Sequence, residues 1–149
     1  MDYTMHPIGV IRSPFTDRRE TPIQPSRSKS VGRVEVFPEF AEGLHDLEGF
    51  SHLILLYVFH HSEEYSLMVK PFLDDRLRGL FATRHPSRPN PIGLSVVSLL
   101  RADGTVLEIE GLDVLDGTPL LDIKPYIPEF DIRANVRAGW YDQRSVQGG

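Results

Sequence analysis

Residues 83–93, TRHPSRPNPIG, place two arginines and an asparagine among three prolines, directly before a hydrophobic segment. Each proline fixes its own φ angle, so the side chains between them have little conformational freedom to lose when a ligand binds. Arg84 and Arg88 could each bind a carboxylate or phosphate through paired hydrogen bonds, and Asn90 offers a donor and an acceptor to the edge of a base. The pattern indicates a preorganised binding loop, unless the prolines only block strand pairing and Asn90 closes a turn.

Residues 111–126, GLDVLDGTPLLDIKPY, form a second polar segment. The DGTP stretch at 116–119 is typical of a turn. In that turn, Asp116 could accept hydrogen bonds from the nearby backbone or from the two hydroxyls of a ribose. Asp113 adds a second carboxylate beside it, so the segment is either a ligand-binding loop or a self-satisfied turn.

The residues after this turn alternate in polarity. We expect Leu121 and Ile123 to face the core, which leaves Asp122, Lys124 and Tyr126 in a row on the opposite face. These side chains could bind a ligand from a rigid strand. Asp122 and Lys124 could equally be a solvated ion pair that contributes less than about 1 kcal/mol.

The histidines do not have the spacing of a metal site. His60 and His61 are adjacent on a predicted strand and should therefore point to opposite faces. His52 shares the face of His60, but eight residues of strand separate them by about 26 Å. We predict no bound metal, and we expect His60 and His61 to offer hydrogen bonds to a ligand from the end of a buried strand.

Several other chemistries are excluded by the sequence. It contains no cysteine, which rules out disulfides, thiolate metal sites and cysteine nucleophiles. It also lacks the GxSxG, SxxK and GxxxxGK[ST] motifs, so serine hydrolase and P-loop functions are not indicated. The N-terminus does not resemble a secretory signal, and the longest apolar run, residues 53–59, is too short to span a membrane. We therefore expect a cytoplasmic protein without a membrane partner.

Charge is distributed unevenly along the chain. The formal net charge is −5, and the acidic excess lies in residues 102–149. Residues 12–33 contain six basic residues against two acidic ones, and residues 70–88 contain five against two. These two windows could bind an anionic ligand, or they could be ordinary solvated surface.

Short apolar runs separated by prolines and glycines predict an all-β protein. The predicted strands cover residues 8–11, 31–37, 51–61, 80–83, 92–100, 106–110 and 119–125, with a helical turn at 40–50. We expect a small closed or nearly closed β-barrel of about six to seven strands with short helical turns, since closure removes exposed strand edges. One domain should span residues 1–141, followed by a frayed tail at 142–149. The polar connection at 13–30 is long enough to be functional or disordered.

The segment at 51–61 is apolar on both of its alternating faces. A strand of this kind is normally covered on both sides, because a solvated face would carry polar residues. We therefore expect another layer to pack on the outside of the barrel at this strand.

Five segments appear in the order and spacing found in the TsaA/TrmO family, which the chain resembles over about residues 6–130. They are IGVIRSPF (8–15), the Gln24-Pro25 pair, LEGFSHLILLYVFHH (47–61), GLFATRHPSRPNPIG (79–93) and DVLDGTPLLDIKPYIP (113–128). The resemblance implies a β-barrel methyltransferase that uses S-adenosylmethionine to methylate N6 of the threonylcarbamoyl-modified adenosine at tRNA position 37. It also implies a homodimer with the cofactor site near the subunit interface.

The resemblance further assigns roles to residues. The cofactor-binding positions that it implies are Gln24, Pro25, His60, His61, Arg84, Leu94, Asp113, Val114, Leu115 and Asp116. We expect Asn90, Asp122 and Tyr126 to act at the methyl acceptor, and Arg88, Lys124, Arg18 and Arg19 to bind the RNA substrate. Two alternatives remain: the same cofactor enzyme acting on a small molecule or another RNA, and a non-catalytic barrel that senses a ligand.

Overall fold

The computed structural model describes residues 1–17 and 29–144. The strands in this part are β1 (Gly9–Arg12), β2 (Val31–Val36), β3 (His52–Val58), β4 (Met68–Val69), β5 (Arg78–Gly79), β6 (Ile92–Asp103), β7 (Val106–Glu110) and β8 (Thr118–Pro125). Short 3-10 helices cover Pro38–Leu44, Leu47–Gly49 and Leu80–Ala82, and two α-helical turns follow β8: α1 (Pro128–Asp131) and α2 (Trp140–Gln143). None of the helices described is long and apolar enough to cross a membrane.

Six of these strands form a closed antiparallel barrel in the order β1-β2-β7-β6-β3-β8. The barrel closes where β1 pairs with β8, with Gly9 opposite Leu120. The other two strands, β4 and β5, form a separate two-stranded hairpin. The predicted all-β barrel is therefore confirmed, and closure leaves its six strands without an unpaired edge.

The barrel forms because apolar residues recur at every second position of its strands. In β7, Leu107 and Ile109 are completely buried, while their neighbours Val106 and Glu108 face outward. A tight turn joins β6 to β7, and Gly104 adopts the positive φ of 61° that this turn requires. The inward residues of all six strands pack into one core.

Two predicted strand ends differ from the structure by three residues each. β3 ends at Val58 rather than His61, because the Phe59 N–H bonds to the Pro91 carbonyl and the Ser62 N–H bonds back to the Phe59 carbonyl. The chain therefore turns at His60 and His61 instead of continuing as a strand. The second difference is in β6, which was predicted to end at residue 100 and ends instead at Asp103.

The predicted strand at 80–83 is also wrong, since residues Leu80–Ala82 form a 3-10 helix. The Thr83 N–H and hydroxyl both donate to the Leu80 carbonyl, at 3.0 and 2.7 Å. Leu80 is buried, whereas Phe81 is 75% exposed. The 3-10 helix therefore buries one apolar side chain and exposes the next.

A bulge in β8 changes which of its residues face the core. The register with β3 shifts between Leu56 and Tyr57, so that Tyr57 lies opposite Leu120. Leu120 is completely buried, whereas Leu121 is only half-buried. The expectation that Leu121 faces the core is therefore wrong, because a bulge exchanges the faces of the residues on either side of it.

The C-terminal region contains some of the residues that the sequence analysis places in a tail. Asp142 and Gln143 belong to α2, where the Asp142 carboxylate accepts the Ala138 N–H at 2.8 Å. The division into a domain at 1–141 and a tail at 142–149 stays a prediction, because residues 145–149 lie outside those described.

Candidate functional site

One end of the barrel carries an open cavity of about 220 Å³. Its walls come from the turn after β3, the proline-rich loop before β6 and the loop before β8: Phe59, His60, His61, Ser62, Pro86, Asp113, Val114, Leu115 and Thr118. The strand register explains why these segments meet. Because β3 is antiparallel to both neighbours, its last residues lie beside the first residues of β6 and β8, as Val58 opposite Ile92 shows.

The loop at 111–117 is fixed at its β8 end by backbone contacts with β1 and the residues after it. Asp116 N–H donates to the Phe15 carbonyl at 2.7 Å, and Gly117 N–H donates to the Ile11 carbonyl at 2.9 Å. Gly117 has a φ of 84°, which its position in the turn requires and which most other residues would adopt only under strain. The loop is therefore held in place before any ligand binds.

The proline-rich loop is also fixed by its own hydrogen bonds. Arg88 donates to the backbone carbonyls of Thr83 and His85, at 2.8 and 3.0 Å, and the Ser87 N–H bonds to the His85 ring at 3.2 Å. The Arg88 guanidinium carbon also lies 5.9 Å from the centre of the Phe81 ring. Arg88 thus holds the loop together, and its binding of RNA stays a prediction.

The rings of His60 and His61 pack against each other at the cavity wall. Their centroids are 4.1 Å apart, at an interplanar angle of 44°. They therefore do not point to opposite faces, and that expectation is wrong because the strand has already ended. Partial burial and the neighbouring His61 lower the pKa of His60, although its hydrogen bond with the Val58 backbone acts in the opposite direction. The lowered pKa favours the neutral imidazole, which can both donate and accept a hydrogen bond.

A chain of buried hydroxyl groups reaches the cavity from inside the barrel. Tyr57 and Ser95 point inward from β3 and β6, each 2% exposed. The Tyr57 hydroxyl lies 2.7 Å from the Ser95 hydroxyl, and Ser95 donates to Asp113 at 2.7 Å. Burial raises the pKa of Asp113, while the hydrogen bond from Ser95 lowers it. Burial, and next the Asp113 charge, raise the pKa of Tyr57, whereas Ser95 and the nearby Arg84 act against that rise.

Asp116 lies outside the cavity lining. Its carboxylate accepts the Ser13 N–H at 3.0 Å and lies 3.9 Å from the Arg12 guanidinium, which also forms an ion pair with Glu35. These contacts fasten the segment after β1 to the turn before β8. The ribose-binding role of Asp116 therefore stays a prediction, and the alternative of a structural turn residue accounts for the contacts observed.

Four other expected site residues lie on the outer face of the barrel. Cross-strand pairing sets Leu94 and Asp122 on either side of Leu56, and Lys124 opposite Ile54. Asp122 and Lys124 form an ion pair at 2.9 Å. Tyr126 follows β8, with its ring edge-on to His52 at 6.2 Å between centroids. Leu94 is 49% exposed, so in a single chain it does not line the cavity.

The remaining residues that were expected in the site are Asn90, Arg84 and four residues of the long connection. Asn90 is exposed near the start of β6, and its carbonyl accepts the Ile92 N–H at 2.7 Å. Arg84 lies close enough to Tyr57 to affect its pKa. Gln24, Pro25, Arg18 and Arg19 lie outside the described residues. Within residues 1–17 and 29–144, no group of three or more histidine, aspartate or glutamate side chains could hold a metal ion.

The sequence analysis did not identify several residues that form this site. Phe59, Ser62, Pro86 and Thr118 line the cavity, and Tyr57 and Ser95 support Asp113. One sequence signal could have identified Tyr57 and Ser95, namely a polar residue at a position that alternation predicts to face the core. Tyr57 and Ser95 each alternate with outward residues on strands whose other inward residues are mainly apolar.

Comparison with known proteins places this chain within a family. Residues 10–132 match the family model described as the tRNA-methyltransferase O N-terminal domain. A probable S-adenosyl-L-methionine-binding protein of Pyrococcus abyssi is 56% identical over 92% of this chain and 75% of its own length. The human tRNA (adenine(37)-N6)-methyltransferase is 40% identical over 87% of this chain, which corresponds to only 31% of the human protein.

A solved structure gives the same result. The crystal structure of TrmO from Pseudomonas aeruginosa matches with a TM-score of 0.81 and 41% identity, over 97% of this chain and 65% of that one. The chain thus spans just under two thirds of that protein. Because the family model covers most of the chain and the barrel is shared with a solved member, the chain belongs to the tRNA-methyltransferase O N-terminal domain family.

Proposed function

We propose that the protein is an S-adenosylmethionine-dependent methyltransferase that methylates N6 of the adenosine at tRNA position 37, in its threonylcarbamoyl-modified form. The observation that carries the proposal is the cavity at the barrel end, which brings residues from three of the segments that resemble the family, 47–61, 79–93 and 113–128, into one preformed site. Relatives named as S-adenosylmethionine-binding proteins and tRNA adenine methyltransferases support both the cofactor and the substrate.

The cavity walls have the chemistry that this cofactor needs. Apolar side chains of Phe59, Val114 and Leu115 could hold the adenine ring, and the Asp113 carboxylate could accept a hydrogen bond from a hydroxyl or amino group. Arg84, close to this end of the barrel, could bind the carboxylate of the methionine part. When bound, S-adenosylmethionine supplies a methyl group on a positively charged sulfur.

The role of the protein in such a reaction is alignment. Methyl transfer is an in-line displacement, so holding the acceptor nitrogen in line with the methyl group contributes much of the rate. Asn90 and Tyr126 would orient the adenine base. Asp122 would accept a hydrogen bond from the one N–H that N6 retains beside the threonylcarbamoyl group, and it would take up that proton as the methyl group is transferred and S-adenosylhomocysteine leaves.

The RNA backbone would be held by basic side chains. Lys124 and Arg88 lie in the described part, and Arg18 and Arg19 belong to the basic window of the long connection. Each phosphate neutralised in this way makes RNA binding weaker as the salt concentration rises.

The positions of these residues favour a homodimer. In one chain, Asp122 and Tyr126 lie on the outer face of β3 and β8, while the cofactor residues lie at the barrel end. The same outer face exposes apolar side chains on β6, with Leu94 49%, Val96 39% and Leu100 49% exposed. Packing a second copy on this face would cover an apolar surface and enclose the neighbouring cavity. We place this dimer in the cytoplasm, where its tRNA substrate would be.

A methylation assay tests the proposed function. The purified protein is incubated with S-adenosylmethionine carrying a labelled methyl group and with tRNA that does or does not bear the threonylcarbamoyl group. We expect label at adenosine 37, lost in Arg84→Ala and retained in Arg101→Ala, a surface arginine paired with Asp103. Turnover unaffected by salt would favour a small-molecule substrate, and cofactor binding without any transfer would favour a sensor.

A further inference from the structure

We propose that Tyr57 and Ser95 are positioning residues whose hydrogen-bond chain, running from the barrel interior to the cavity, fixes the Asp113 carboxylate where it binds a donor group of the cofactor. This inference rests on the proposed function, because it assigns a purpose to the cavity wall. Neither residue lines the cavity, so both would act through Asp113.

The direction of each hydrogen bond between Tyr57, Ser95 and Asp113 is set by the carboxylate at the end of the series. A carboxylate can only accept, so the Ser95 hydroxyl must donate its single hydrogen to Asp113 across 2.7 Å. Ser95 then has only lone pairs for its other partner, and the Tyr57 hydroxyl must donate to it across 2.7 Å. Each bond polarises the next toward the carboxylate, so the chain strengthens the bond that Asp113 receives.

The Tyr57 ring is held at a fixed position. It lies opposite Gly93 on β6, and a Cβ at Gly93 would come within 2.7 Å of Tyr57 Cζ and 2.8 Å of Phe59 Cζ. The Phe59 ring packs edge-on against Tyr57, with centroids 5.5 Å apart at 85°. Because Phe59 also lines the cavity, the tyrosine is fixed between the barrel wall and the site.

The stability of the fold does not by itself explain why positions 57 and 95 carry buried hydroxyl groups. The inward neighbours Leu53, Leu55 and Val97 are apolar and almost completely buried. Phenylalanine and alanine would fill positions 57 and 95 without polar groups to satisfy, whereas buried hydroxyls cost free energy unless each finds a partner. The chain is satisfied throughout and ends on a carboxylate at the cavity wall, which is where a ligand would use it.

The pH dependence of binding gives a signature for this role. The titratable side chains that share the cavity wall or the hydrogen-bond chain with Asp113 are His60, His61 and Tyr57, and Arg84 lies near Tyr57. The Ser95 hydrogen bond lowers the pKa of Asp113 against the rise caused by burial. Removing that hydroxyl therefore raises the pKa further, and the loss of cofactor affinity on acidification should move to higher pH. The histidines and Arg84 are retained in every variant, so their contribution cancels between proteins.

The experiment is a calorimetric titration of the full chain with S-adenosylhomocysteine across a pH series. It compares the wild type with Tyr57→Phe, Ser95→Ala, the double variant and Val97→Ala. We expect Ser95→Ala to weaken binding about tenfold at neutral pH and to shift its acid limb upward, as a lost hydrogen bond to a charged group would. For Tyr57→Phe we expect a loss of about threefold, since it removes only the supporting bond.

The double variant and Val97→Ala separate positioning from stability. Ser95→Ala strands the buried Tyr57 hydroxyl, so the double variant should unfold at a higher temperature than Ser95→Ala while its affinity stays low. Val97 lies on the same inner face, two residues from Ser95, and is 1% exposed, so Val97→Ala should lower the unfolding temperature and leave affinity unchanged. Affinity that follows unfolding temperature across all variants, or unshifted pH profiles, would overturn the positioning role alone. A wild-type protein that does not bind S-adenosylhomocysteine would overturn the proposed function, and the positioning role with it.

Discussion

The cavity end and the outer face of the barrel are built from the same three strands, β3, β6 and β8. They differ in how far their side chains are covered and hydrogen-bonded within one chain. At the cavity end, loops fixed by backbone hydrogen bonds surround Asp113, which receives a buried hydrogen-bond chain. On the outer face, Leu94 and Val96 remain exposed beside the ion pair of Asp122 and Lys124. A single chain therefore organises the cavity end by itself, whereas its outer face leaves apolar side chains exposed, where the proposed dimer contact would lie.

Adjacent leucines on β3 give the largest expected contrast between the inner and the outer face. Leu55 is completely buried and Leu56 only half-buried. We expect Leu55→Ala to lower the free energy of unfolding by about 2–5 kcal/mol, because it leaves a cavity in a closed core. Leu56→Ala should cost less than about 1.5 kcal/mol at low protein concentration. Denaturant titrations of both variants measure this, and equal losses would contradict the distinction between the faces.

A glycine in the barrel wall gives the next largest effect. Gly93→Ala would push a methyl group into the Tyr57 and Phe59 rings, so we expect a loss of about 1–3 kcal/mol and weaker binding of S-adenosylhomocysteine. Gly79→Ala is the matched control, because a Cβ there would meet no atom within 4 Å. Thermal unfolding and calorimetry measure both properties. Normal affinity in Gly93→Ala would mean that the ring position does not govern the cavity.

The outer ion pair should matter more to turnover than to stability. Asp122 and Lys124 are 46% and 58% exposed, and an exposed pair contributes less than about 1 kcal/mol. We expect Asp122→Asn to change the free energy of unfolding by no more than that, while it slows methyl transfer to tRNA at saturating cofactor. Glu108→Gln, an outward carboxylate on β7, is the control. Unchanged turnover in Asp122→Asn would remove Asp122 from the acceptor site.

The smallest effect on the folded chain is expected from Val96→Lys. The valine is 39% exposed on the outer face, so the monomer should retain its stability within about 0.5 kcal/mol. A lysine at that position would place an unpaired charge in the proposed dimer contact. Sedimentation equilibrium should then show the mass of a monomer where the wild type shows a dimer. If both proteins have the same mass, the outer face is not the dimer interface.

Sequence patterns predicted the barrel better than they predicted the contacts inside it. Alternation identifies inward residues such as Leu107 and Ile109, and the break between the predicted strands at 92–100 and 106–110 locates the turn that contains Gly104. The pairing of Ser95 with Asp113 depends instead on where the 111–117 loop crosses the barrel end. The prediction of a strand at 80–83 was wrong, because a single buried leucine is equally compatible with a 3-10 helix.

For the candidate site too, local sequence patterns identified the segments, but they did not show how the segments meet. The proline-rich loop and the 111–117 loop were identified from their composition, and both contribute walls to the cavity. The sequence also placed Asp122, Lys124 and Tyr126 on one face, which the register supports. It could not reveal that this face is separated from the cavity, because the curvature of a closed barrel is a property of all six strands together.

The closing contact of the barrel has a consequence for how the protein is made. β8 pairs with β1 on one side and β3 on the other, so Gly9 must find Leu120 across most of the chain. During synthesis from the N-terminus, β1 and β3 therefore each lack one neighbouring strand until β8 has left the ribosome, and such distant pairing is slow. The cavity at the barrel end cannot form earlier, because Asp113 and Leu115, which line it, are among the last residues to emerge before β8. A growing chain would therefore lack this cavity until almost the whole barrel has been translated.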